Sequence, residues 1–401
     1  MSVAASGSGV GGAAQARRPS AVIVGFVGKL PYAGMTLYNL HYVAGLQDLG
    51  YRVHYVERVN APDECYDPDR NCMTSDPGFA ARYIARVLPG FGLPRESTFL
   101  VDLEGRCHGG GWTALERAVR EADFVLDVAA PTWLDALELC PRRAFVDGDP
   151  FFTQIACCEA GSPTRQTLAH YPVLFTYATH LGRPDCPIPD GGREWIPTRP
   201  LVATRLWRRQ APAPPAAPIS CLMHWAAGRE IQLQGRRYGH KGRVLEALID
   251  LPSRRRDREF VLAIDGRAPR QRLEAHGWRL QDPLEVTRTL DAYRSFILGS
   301  RADLGIAKHA YVASRCGWFS DRALCFLASG RPVLHQETGF SDWLGRRPGV
   351  LPFSTLDDLL AALDSLDAEY LRHAAGARSV AEESFEAASV LAQMLDRAGF
   401  R

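Results

Sequence analysis

Apolar and polar positions alternate along the chain in blocks that switch between two periods. Ala21-Val22-Ile23-Val24-Gly25-Phe26-Val27 is a short, unbroken apolar run rich in β-branched residues, the pattern of a strand buried on both faces of a parallel sheet. A glycine-bearing turn follows, Gly28 to Gly34, and then a helix is predicted from Met35 to Leu49. Its apolar positions are Leu37, Leu40, Val43, Ala44 and Leu46, and Gly50 stands as its C-cap. Tyr51 to Glu57 reads as the second strand. The unit repeats more loosely with strands at Phe124 to Val128, Ala144 to Val146 and Val173 to Tyr177, and a helix at Trp133 to Leu139. Strands alternating with helices imply an α/β fold with a doubly wound parallel sheet.

The pattern breaks at Ala211 to Pro218, where four of eight residues are proline. Such a stretch is neither helix nor central strand and reads as a linker. Beyond it the alternation restarts, with strands at Ile219 to Trp225, Glu259 to Ile264, Ala302 to Ala307 and Pro332 to His335, and helices at Gly242 to Leu251 and Asp321 to Ala328. The expected organisation is a flexible tail (1–20), a first Rossmann-like domain (21–210), the linker (211–218), a second Rossmann-like domain (219–370) and a helical segment (371–401) that crosses back to brace the first. Two such domains face each other across a cleft.

Composition narrows the class. A chain of 401 residues is long enough for two or three cores, and 46% hydrophobic with 23% charged residues is ordinary for a globular protein. No apolar run approaches the ~20 residues of a bilayer crossing. A net charge of +2 offers no field for nucleic acid, so no nucleic-acid partner is expected. Of the 47 basic residues only Lys29, Lys241 and Lys308 are lysine. A codon bias accounts for this, yet a surviving lysine also marks a place where a compact ammonium suits better than a forked guanidinium. The ten cysteines show no CxxC and no zinc spacing, which reads as reduced thiols in a cytoplasmic protein without a metal site.

Ligands of open α/β sheets bind at the carboxyl ends of the strands, so candidate chemistry is sought there. Gly28 to Gly34, with Tyr32 between, offers backbone N–H groups beside a helix start. Its glycines are not spaced as GxGxxG, which weakens a nicotinamide dinucleotide reading. Asp147-Gly148-Asp149-Pro150 places two carboxylates at a strand tip, suited to a general base or to sugar hydroxyls, and equally to an Asp-Pro turn. His180 and His224 lie near strand ends. Lys241 precedes a helix, and Lys308, followed by Tyr311, follows a strand; either ammonium suits a diphosphate. Ser320 and Asp321 stand at a helix N-terminus, where Ser320 is also a plain N-cap, and Thr338-Gly339 closes the next strand.

Ala328-Ser329-Gly330-Arg331-Pro332-Val333 with Thr338-Gly339 resembles the donor-nucleotide half of GT-B glycosyltransferases. Leu30-Pro31-x-x-Gly34, Leu49-Gly50-Tyr51-x-Val53 and Tyr55-Val56-Glu57 resemble the GT-B opening. Asp147 to Gln154 and Trp195 to Thr198 are similar to a bacterial group of glycosyltransferase-like proteins. The resemblance implies two Rossmann-like domains and sugar transfer from a nucleoside diphosphate donor, a co-substrate rather than a cofactor, to a small-molecule or glycan acceptor without a metal. By this reading Gly28, His224, Lys241, Lys308, Tyr311, Ser320, Asp321, Thr338 and Gly339 hold the donor, while Tyr32, Gly34 and His180 lie on the acceptor side. The paired glutamates of common retaining members fall at Gly317 and Cys325, so an inverting route with Asp149 or Asp147 as base is expected. The alternatives are a nucleotide-sugar 2-epimerase of the same fold, or a binding protein without turnover.

Overall fold

The computed structural model describes every residue except 1–16, 129–130, 227–229 and 266. The expected tail falls mostly outside the described residues, and Ser20 already belongs to the first strand, Ser20–Val24. The first sheet has eight strands in the order Ile196–Pro197, Val173–Thr176, Arg143–Asp147, Phe124–Val128, Ser20–Val24, Arg52–Arg58, Thr98–Val101 and Cys107–Gly109. Every neighbour pair is parallel except the last. The second sheet is parallel throughout, in the order Arg279–Gln281, Phe260–Ile264, Ile219–Met223, Ala302–Gly305, Val333–Gln336 and Val350–Phe353. The fold is therefore α/β with two doubly wound, mainly parallel sheets; Phe260–Ile264 is an unbroken apolar run buried throughout, as is Ser20–Val24 after its first residue, while Phe124–Val128 is apolar except for the buried Asp127.

The helix Ala33–Asp48 is buried along most of its length because it is covered from several sides. Its Leu40, Val43 and Leu46 join the core of the first sheet, whereas Ala33 and Leu37 join a cluster with Tyr293, Ile297 and Phe319 of the second half. The C-terminal stretch is two helices, Tyr370–Ser384 and Ala387–Arg397, broken at Phe385. The last of these packs on Ala33–Asp48 at Gly45, where a Cβ would stand 2.6 Å from Leu391 and 2.7 Å from Ala387. Only glycine allows this approach.

Residues 208–218 carry no helix or strand, yet they are pinned to the second half. Arg331 donates to the carbonyl of Ala211 at 2.8 Å, Tyr370 accepts from the N–H of Ala213 at 3.2 Å, and Arg258 donates to the carbonyl of Pro215. The expected helix Trp133 to Leu139 is a single 3₁₀ segment, Asp135–Leu139. A further hairpin, Cys65–Asp67 with Cys72–Thr74, leaves the first half and reaches the second through an Asp69–Arg288 ion pair of 2.7 Å.

Candidate active site

A cavity of about 770 Å³ opens between the halves. Its walls come from residues at or just past the strand ends: Tyr32 and Gly34 after Ser20–Val24, Asp149 after Arg143–Asp147, His224 after Ile219–Met223, Asp265 after Phe260–Ile264, and Lys308 after Ala302–Gly305. Both parallel sheets thus present their carboxyl ends to one space, as the topology requires. Tyr32, Gly34, Asp149, His224, Lys241, Lys308, Tyr311, Ser320 and Asp321 all line it.

Asp149 joins the two halves at the cavity. Its two carboxylate oxygens lie 2.6 and 2.8 Å from the Lys308 ammonium, and the Tyr311 hydroxyl donates to it. The loop that carries it meets the second half at two further points. Trp318 Nε1 donates to the Gly148 carbonyl at 3.3 Å, and the Phe151 ring lies 4.6 Å from that of Tyr238. Phe151 has φ of 76°, a left-handed conformation that is strained for an aromatic residue. Its ring is wholly buried, and Gln154 accepts from its backbone N–H at 2.7 Å, so packing and capping hold the strain.

Lys241 opens the helix Lys241–Ala247. Burial, helped by the nearby Arg322 charge, pushes its ammonium down to about 8. Asp321 is the first residue of the helix Asp321–Ala328; burial pushes its carboxyl up, while Arg322 and Lys241 pull it back down. Ser320 caps that helix by accepting from the Ala323 N–H at 3.4 Å, and its own N–H is taken by His335 Nε2 at 3.3 Å. His224 is exposed and its Nδ1 lies 3.1 Å from Asp265.

Five residues expected at the site lie elsewhere. Asp147 is 1% exposed and its carboxylate is saturated: Thr153 and Gln154 donate at 2.7 Å, Thr176 at 2.8 Å and the Asp149 N–H at 3.1 Å. Burial pushes it up to about 6, but with every lone pair engaged it orders the loop rather than facing a substrate. Gly28 does not reach the cavity, because its N–H donates to buried Glu57 at 2.9 Å and the Lys29 N–H donates to the same carboxylate. Thr338 and Gly339 give their N–H groups to Glu337 at 3.1 and 2.7 Å. In both loops a side-chain carboxylate fills the amide nest that the sequence offers to a ligand. His180 is fully buried between the halves, with Nδ1 2.8 Å from the Arg315 carbonyl.

Sequence reasoning missed Arg322, which lines the cavity and pairs with buried Asp303 at 3.1 Å, although it directly follows Asp321. It also missed Tyr66, stacked on Tyr32 at 4.9 Å, and Asn71, which accepts from the Tyr66 hydroxyl at 2.7 Å. These sit on the hairpin, which carries no periodic signal. Among the described residues no group of three or more His, Cys, Asp or Glu is arranged to hold a metal ion.

No family model and no curated protein matches the sequence. Solved structures do match in shape. An alpha-glucosyltransferase in complex with UDP and a 13-mer DNA superposes with a TM-score of 0.59 at 8% identity, covering 96% of this chain and 100% of its own. Anabaena HepE in complex with UDP-glucose superposes with a TM-score of 0.54 at 12% identity, covering 95% of this chain and 99% of its own. The same HepE with UDP and glucose gives 0.53 at 10% identity, with 95% and 99% covered. Over nearly its whole length, the chain has the two-sheet architecture of the GT-B glycosyltransferases.

Proposed function

We propose that the chain transfers a sugar from a nucleoside diphosphate donor to a hydroxyl-bearing acceptor in the cleft between its two sheets. The observation that carries this reading is the meeting of Lys241, Lys308 and Arg322 from the second half with Asp149 from the first, around one cavity of about 770 Å³, a size that suits a nucleotide sugar. Residues 219–370 hold the donor and residues 21–210 present the acceptor. The ammonium groups supply counter-charge to the diphosphate, so the reading needs no metal ion. Asp321 sits where a helix N-terminus would otherwise attract phosphate. A carboxylate there repels phosphate and accepts from hydroxyls, which suits a ribose diol.

In the transfer, the acceptor oxygen forms a bond to the anomeric carbon as its proton passes to Asp149. The bond from that carbon to the phosphate oxygen breaks, and the electron pair leaves with the nucleoside diphosphate. Charge developing on the leaving group is met by Lys241 and Lys308, which the bound diphosphate already engages when the bond breaks. Asp149 belongs to the first half and the ammonium groups to the second, so base and leaving-group charge are supplied by different halves. The solved neighbours hold UDP or UDP-glucose, which makes these the first probes. The test is release of UDP from UDP-sugars with water as acceptor. Turnover is expected, with Asp149→Asn slower by about 10²-fold or more; near-wild-type turnover in Asp149→Asn removes it as the base.

A further inference from the structure

The Asp149–Lys308 pair does more than join two halves. Each partner has a task in the proposed transfer that the other obstructs. An ammonium 2.6 and 2.8 Å from the two carboxylate oxygens occupies the positions on Asp149 that an acceptor hydroxyl would use, and a carboxylate on that ammonium screens it from phosphate. Lys308 is further fixed by the face of Phe152, whose ring centre lies 4.5 Å from Nζ. The pair is nevertheless open to the cleft, with side-chain exposures of 21% for Lys308 and 49% for Asp149. Partly exposed pairs of this kind hold weakly and exchange partners readily.

We propose that this ion pair is a latch opened by the donor: the diphosphate takes the Lys308 ammonium and thereby releases the Asp149 carboxylate to receive the acceptor proton. The inference rests on the reading of the cleft as a nucleotide-sugar site. A diphosphate carries more negative charge than one carboxylate and wins the ammonium once seated. The Tyr311 hydroxyl also donates to Asp149, so the carboxylate stays aimed into the cleft after the ammonium leaves it. The base is thus masked until the donor is in place. The donor's arrival also cuts the ionic tie between the halves while the Gly148–Trp318 and Phe151–Tyr238 contacts remain. A purely structural bridge would behave differently, because neither partner would then change hands.

The latch makes one unusual demand: removing the charge of Asp149 must tighten nucleoside diphosphate binding. UDP titrated by calorimetry into the full chain is expected to bind Asp149→Asn about threefold to tenfold more tightly than wild type. The gain must vanish when the same change is made in a Lys308→Met background, since there is then no ammonium to release. If UDP binds every variant but Asp149→Asn is unchanged or weaker, the latch is overturned and the cleft reading stands. If neither UDP nor another nucleoside diphosphate binds any variant, both fall. A second measurement needs no change at Asp149. The chain has three lysines, so ¹³C-dimethylated protein gives three lysine signals, and the Lys308 signal is assigned by its loss in Lys308→Arg. Saturating UDP must move that signal; UDP binding that leaves it in place overturns the latch.

Discussion

Lys29 and Lys308 follow strands in the two halves and look alike in sequence, yet they have opposite fates. Lys29 lies in the glycine loop of the first half. Its side chain is 5% exposed and pairs with Glu64 at 3.3 Å, and the loop's N–H groups are spent on Glu57, which also accepts from the Tyr55 hydroxyl at 2.9 Å. Lys308, with Lys241 beside it, opens onto the cavity. In the first loop the backbone N–H groups and the lysine are all satisfied away from the cavity, whereas the Lys308–Asp149 pair stands open to it, with side-chain exposures of 21% and 49%. A basic residue at a strand end is therefore a candidate for ligand binding where its ion pair faces a cavity, and not where its ammonium is buried.

The comparison breaks most visibly at Glu57. Glu57→Ala strands two backbone N–H groups and the Tyr55 hydroxyl, and removes a carboxylate whose charge faces the buried Lys29 ammonium, so urea unfolding is expected to show a loss of about 3 kcal/mol or more. A loss below about 1 kcal/mol would mean the nest is not internally satisfied. On the other rim, Lys241→Met is expected to weaken UDP binding about tenfold, near 1.4 kcal/mol, with little change in stability. The same ammonium sets a pH dependence. It carries its charge below about 8 and loses it above, so UDP affinity falls as pH rises from about 7 to 9, a range in which the diphosphate keeps its own charge. Calorimetry at several pH values should find that fall in wild type and a flat profile in Lys241→Met. The smallest effect belongs to Lys29: Lys29→Met should cost stability yet alter UDP affinity by less than about twofold.

Much of the fold was legible because uniformly apolar strands announce themselves. Ile219–Met223 and Phe260–Ile264 lie within a residue or two of their predicted starts, and the helix Asp321–Ala328 matches its Ser320 cap. Thr98–Val101 was not anticipated, since four residues beside a polar turn give no period to read. Of the residues lining the cavity, Asp149, Lys241, Lys308, Tyr311 and Asp321 are legible from their place after strands or at helix starts. Asp147 and Asp149 look equivalent in sequence, and what separates them is tertiary: Thr153, Gln154 and Thr176 converge on Asp147, and Lys308 and Tyr311 on Asp149. The nests at Gly28 and Gly339 misled for the same reason, because Glu57 and Glu337 fill them only once the chain is folded.

The central claim is that the open rim binds a nucleoside diphosphate. Its most direct test is the stability of the full chain against urea with and without saturating UDP, for wild type, Lys29→Met and the double variant Lys241→Met with Lys308→Met. Wild type and Lys29→Met should each gain roughly 2.7 kcal/mol at a ligand concentration of 100 times Kd, and the double variant should gain almost nothing at that same concentration. An equal gain in the double variant, or no gain in wild type with UDP or any other nucleoside diphosphate, would contradict it.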